Sequence, residues 1–202
     1  MRRPARPYQL RSWLVDDYNR ARLALPCALI LLTSLPVVLT AENRPLILLV
    51  TLLPAYMIHQ YEEHAHGRFV AFFNATICRG RDVLTPVSAF WINILDVWLV
   101  FLVAFYLAKY WTLGVSLFPV GVILLNAATH VIAAVRLRRY DPGLITSLVL
   151  FLPWGGYLLI YFHDAVDRII LVNWVALGAA VLAHAVIIVY VVRTYKRLEA
   201  GH

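Results

Sequence analysis

The stretch Met57-Ile-His59-Gln-Tyr-Glu62-Glu63-His64-Ala-His66 concentrates side chains that bind metals or move protons. At about 100° per residue, His59, Glu62, Glu63 and His66 fall within one helical arc of about 100°, and His64 projects away from it. Imidazole and carboxylate three or four residues apart is the spacing with which helices present ligands to zinc or to carboxylate-bridged iron. Asn93 and Asp96 share a second face, Asn126, Thr129 and His130 a third, and His184 stands alone in a later apolar run. Tyr140-Asp141-Pro142-Gly143 has the Pro-Gly order of a type II turn, with glycine where φ must be positive, and sets Tyr140 at the edge of the same region.

The elements that must carry these residues are membrane spans. The chain has 202 residues, 62% of them apolar and only 14% charged. Its mean hydropathy is +0.74. An average soluble chain is about 45–50% apolar and about 25% charged, and a single soluble core could not hide this excess. A spanning helix needs about 20 apolar residues. The apolar runs predict six, over about 21–40, 45–66, 86–108, 112–135, 144–162 and 169–192. The expected fold is therefore all-α, a polytopic bundle of about six helices. A basic amphipathic arm over 1–20 precedes it and a tail over 193–202 follows. No internal repeat, separate soluble domain or nucleotide motif is visible, and the basic start lacks the form of a cleaved signal peptide. Cys27 and Cys78 are expected to be free thiols.

Orientation follows from the cations. Of the 18 Lys and Arg, all but Arg44, Lys109 and Arg168 fall in alternate connections and in the two termini. By the positive-inside rule those segments, and both ends of the chain, are cytoplasmic. The net charge of +7 then reflects topology and attraction to anionic lipid, and calls for no nucleic acid. At 1.5 Å per residue, His59, Glu63, Asn93, Asp96, Asn126, His130 and His184 all lie about 6–16 Å below the cytoplasmic boundary. Four helices thus bring polar residues into one half of the bilayer, where ionisable groups are costly and mark function.

His59-x-x-Glu62-Glu63, the later His130 and Tyr140-x-Pro142-Gly143, in this order, resemble the HXXEE-motif family of integral membrane proteins, a family with no established general function. The likeness runs from the second span through the fifth. It implies that His59, Glu62, Glu63 and His130 form the family's site, and ranks His66 and His184 below them.

The leading expectation is a membrane enzyme acting on a hydrophobic, lipid-like or isoprenoid substrate, with zinc or iron held by His59, Glu63 and His130. Glu62 then serves as base or bridging ligand, and Asn126 contacts ligand or substrate. A metal-free alternative uses Glu62 or Asp96 as a buried acid in a membrane cyclase. A proton- or cation-coupled transporter is the other alternative, opposed by the apolar outer half of the bundle. The expected location is the bacterial cytoplasmic membrane, with lipids as partners. Topology is checked by fusions at the C-terminus: green fluorescent protein should fluoresce and alkaline phosphatase should stay inactive, and the reverse pair of results contradicts the charge argument.

Overall fold

The computed structural model describes residues 10–38, 43–165 and 170–201. Residues 1–9 of the basic arm and Arg168 lie outside these, as does the side chain of Asp96. The described residues are helical, with no strand among them. The helices are α1 (Asn19–Val38), α2 (Arg44–Val50), α3 (Leu52–His64), α4 (Pro86–Tyr110), α5 (Leu113–Leu137), α6 (Leu144–Asp164) and α7 (Leu171–Ala200). Five of them, all but α2 and α3, are long and apolar enough to cross a membrane. The expected second span is present as α2 and α3, which meet at Thr51, itself in helical conformation with φ −61° and ψ −19°. Pro54 has no N–H to donate to the carbonyl four residues back, so the ladder lacks one bond there.

The remaining boundaries follow local chemistry. Thr85 and Ser88 form a reciprocal cap at the start of α4, with Pro86 at the first helical position. From Ile92 to Leu99 the α4 ladder widens to the π-helical pattern, and Asn93 stands at its start. The tail expected over 193–202 does not leave the helix: α7 runs on through Ala200. Arg81 holds that extension, with Nη1 donating to the Tyr195 hydroxyl at 2.6 Å and Nη2 3.5 Å from Glu199. Arg22 meets His66, and Arg139 lies over the Phe72 ring. The four segments expected on one side of the membrane thus touch one another at one end of the bundle.

α5 is the central rod. Leu117, Val120, Ile123 and Ala127 on it pack with Leu52 of α3 and with Phe151, Leu158 and Phe162 of α6, all fully buried. Small residues bring helices close where the driving force is packing rather than burial from water. Ala24 and Ala28 do this for α1 against Met57 of α3. Gly121 does it for α5 against α7, where an added Cβ would stand 2.9 Å from the Ala180 Cβ. The outward face of α7 (Leu171, Trp174, Val175, Val181, Leu182) is left bare, as suits contact with lipid. Both cysteines are free, Cys27 exposed and Cys78 buried. Gly121→Val forces α5 and α7 apart and should cost about 1–3 kcal/mol, read as a lower unfolding midpoint in nanodiscs. A variant as stable as wild type would disprove this helix contact.

Candidate metal centre

Each side chain of the centre is placed by a different element. His59 and Glu63 are one turn apart on the inner face of α3, His130 comes from α5, and the turn between α5 and α6 closes over them. His59, Glu63 and His130 are all buried, at 0%, 5% and 3% exposure. His59 Nε2 is 3.5 Å from Glu63 Oε2, and His130 Nε2 is 3.7 Å from Glu63 Oε1. Their ligand atoms all lie within 4.8 Å of one another, so the group could hold a metal ion.

A hydrogen-bond network centred on Glu62 reaches the His59 ring. Glu62, the expected neighbour, turns to the start of α6. Its carboxylate accepts from the backbone N–H of Ile145 (2.9 Å) and Thr146 (2.7 Å) and from the hydroxyls of Tyr140 (2.7 Å) and Thr146 (2.5 Å). Those two amides are unpaired donors of the first helical turn, so Glu62 caps α6 from another helix. Burial and the bond to Glu62 carry the Tyr140 phenol up to about 12, so it remains a donor at physiological pH. The Thr146 hydroxyl is 2.5 Å from a Glu62 carboxylate oxygen that can only accept, so its hydrogen goes there and its own oxygen accepts from His59 Nδ1, 2.7 Å away. The opposite ring nitrogen, Nε2, is buried, makes no hydrogen bond and faces Glu63. His130 stands between two carboxylates, with Nδ1 3.2 Å from the buried Asp141 and Nε2 3.7 Å from Glu63 Oε1.

Tyr140-Asp-Pro-Gly is the expected type II turn. Gly143 has φ 104° and ψ −8°, and the Leu144 N–H donates to the Asp141 carbonyl at 2.9 Å. Its glycine is required twice over. The positive φ is strained for any L residue, and an added Cβ would stand 2.8 Å from Cε1 of both His59 and His130. The motif residues thus share one site: Tyr140 holds Glu62, and Gly143 lets the turn lie against both rings. Phe151 stacks on His59 with ring centroids 4.4 Å apart, and Tyr56 meets it edge-on.

Other expected residues fare differently. His64 does not project away: α3 ends at it, it is buried, and its Nε2 is 3.1 Å from Glu63 Oε2. Asn93 is brought in through His64, with Nδ2 at 3.0 Å from that same nitrogen and 2.7 Å from the Ala89 carbonyl. Asn126 is near, donating to the Tyr56 hydroxyl. His66 is not gathered. Ala65 leaves helical geometry and His66 has φ 63°, which turns its ring out to Arg22. His184 stands 3.1 Å from the Ala180 carbonyl one turn back on α7, away from the centre. His163 and Asp164 form an exposed pair at 3.2 Å. Sequence reasoning missed Asp141, Thr146, Gln60 and Arg20. Asp141 lay inside the quoted turn motif; the others are uninformative without tertiary contacts.

A bundle of apolar helices enclosing a His/Glu group defines a helical integral membrane protein with a candidate metal centre. The family described as "Protein of unknown function with HXXEE motif" matches residues 50–158, more than half of the chain, and the chain belongs to it. Neither a curated protein nor a solved structure matches the chain. Gly143→Ala should destabilise the fold by about 2–5 kcal/mol, from left-handed strain plus overpacking on both imidazoles. Thermal unfolding of the purified protein measures this, and an unchanged midpoint would remove the turn from the site.

Proposed function

We propose that this protein is a membrane-embedded, metal-dependent enzyme acting on a lipid-like substrate, with His59, Glu63 and His130 as ligands. One observation carries the reading: two imidazoles whose Nδ1 atoms are engaged by Thr146 and Asp141 turn their Nε2 atoms on one buried carboxylate. Histidine and carboxylate are ligand types that suit zinc or iron, and their candidate ligand atoms all lie within 4.8 Å of one another.

Two histidines and a glutamate leave a fourth position for water or substrate, the form of a catalytic rather than a closed structural site. A zinc or iron ion held there supplies Lewis acidity toward a substrate oxygen or activates a water. The chain's own contribution is orientation. Asp141 fixes the His130 ring and raises its basicity as a ligand, and Thr146 does the same for His59. Glu62 positions Thr146 and the turn. Phe151 and Tyr56 keep water from one wall. Acid catalysis by Glu62 is the less favoured reading, because a carboxylate that accepts two amide and two hydroxyl hydrogens is held as the anion.

The test is elemental analysis of detergent-purified wild type beside His59→Ala, His130→Ala and Asp141→Asn. Near-stoichiometric zinc or iron is expected in wild type and is lost in both histidine variants. In Asp141→Asn the metal should be held about 10–100-fold more weakly in a chelator competition. Folded wild type that takes up no metal, even when it is supplied, would sink the proposal.

A further inference from the structure

Arg20 is the one strongly buried cation in the described structure, at 5% exposure, and the centre's geometry does not use it. It sits in the first turn of α1. Its Nη1 donates to the Ala89 carbonyl at 2.7 Å, and the guanidinium lies over the Phe90 ring, 5.5 Å from the centroid. Its Nη2 is buried and makes no hydrogen bond, and among the described residues no carboxylate pairs with it. A guanidinium stripped of water costs several kcal/mol unless an anion and hydrogen bonds compensate. Here half of the fork is left without either.

Its position relative to the centre is fixed by shared partners. The Ala89 carbonyl that accepts from Arg20 also accepts from Asn93 Nδ2. Asn93 contacts His64 Nε2, and His64 Nε2 contacts Glu63 Oε2. Arg20 is therefore linked to a proposed metal ligand, Glu63, through the Ala89 carbonyl, Asn93 and His64. Three neighbours tie this part of α1 down: Arg20 to Ala89, Arg22 to His66, and the Tyr18 ring against Gly67, where an added Cβ would come within 2.7 Å.

From this orphaned, site-adjacent guanidinium we infer that Arg20 is a substrate-anchoring residue, and that the substrate is an amphiphile with an oxyanion headgroup, phosphate or carboxylate. The inference rests on the enzyme reading above and names its substrate class. The headgroup oxygen takes the free Nη2 hydrogens in a charge-assisted bond, and the apolar tail runs between the helices. Arginine suits this task because it stays charged when buried and offers a planar fork, which lysine does not.

The experiment uses the zinc-loaded full chain in phosphatidylcholine nanodiscs and follows thermal unfolding against added dodecyl phosphate, laurate and the neutral dodecyl maltoside. A saturable rise in unfolding temperature is expected with the anionic amphiphiles and not with the neutral one. The stronger of the two anions identifies the headgroup. In Arg20→Gln the apparent affinity should fall at least tenfold with metal content unchanged. Arg20→Lys should show the same loss, and it carries the comparison if the glutamine variant does not fold. Equal shifts by anionic and neutral amphiphiles in wild type, or a wild-type response in both variants, would overturn the proposal. Metal content is measured separately, so failure of the metal reading is seen on its own. If wild type takes up no metal, the same titrations on the metal-free protein still decide whether Arg20 binds the anion.

Discussion

The Glu62 carboxylate at the head of α6 is the contact on which the centre's geometry depends. Every helix begins with amides that have no partner in their own ladder, and inside a membrane such groups cannot turn to water. α6 begins directly beneath a tight turn. Glu62 meets two of those amides from the neighbouring helix and takes the Tyr140 and Thr146 hydroxyls as well. One anion thereby joins α3, the turn and α6. It also sets the Thr146 oxygen as an acceptor, and so fixes the proton on His59. The first glutamate of His-x-x-Glu-Glu builds the frame, and the second faces the histidines.

This division of labour explains why adjacent glutamates can do unlike work. Glu62 is half-buried and saturated with donors. Glu63 is buried among imidazoles, with His59, His64 and His130 around its two oxygens. Residues 100° apart on a helix look to different neighbours: here one faces α6 and the other the space between α3 and α5. The turn glycine then sets the closeness of the whole. With any side chain at Gly143 the α5–α6 turn would stand off from both rings, and the contacts of Tyr140 and Asp141 would lengthen together.

Much of this was legible in the sequence, and for physical reasons. Spans are long apolar runs and their sidedness is a charge count, so the helical plan and the meeting of the charged segments at one end came through. His59, Glu63 and His130 were legible because helical spacing and depth do not depend on tertiary detail. The errors fall where regular geometry stops. His66 was placed on the site face by extending α3 past His64, but the chain turns left-handed there. His64 was assigned away from the face, yet a helix end packed into a corner meets neighbours on more sides than a mid-helix residue does. Arg20 was read only as one more cytoplasmic cation. Burial, the property that singles it out, is set by Ala89 and Phe90, about 70 residues along the chain.

The network behind His64 has a direction that bears on the centre. Trp98 can only donate, so its indole N–H fixes the Gln60 amide oxygen as acceptor at 2.9 Å. Gln60 must then donate to Asn93 Oδ1, and Asn93 Nδ2 in turn donates to the Ala89 carbonyl and stands 3.0 Å from His64 Nε2. Three imidazoles crowd the one buried carboxylate: His64 and His59 stand 3.1 and 3.5 Å from Glu63 Oε2, and His130 3.7 Å from Oε1. Each ring is held by a different partner, Asn93, Thr146 and Asp141, so three separate sets of contacts build the convergence on Glu63.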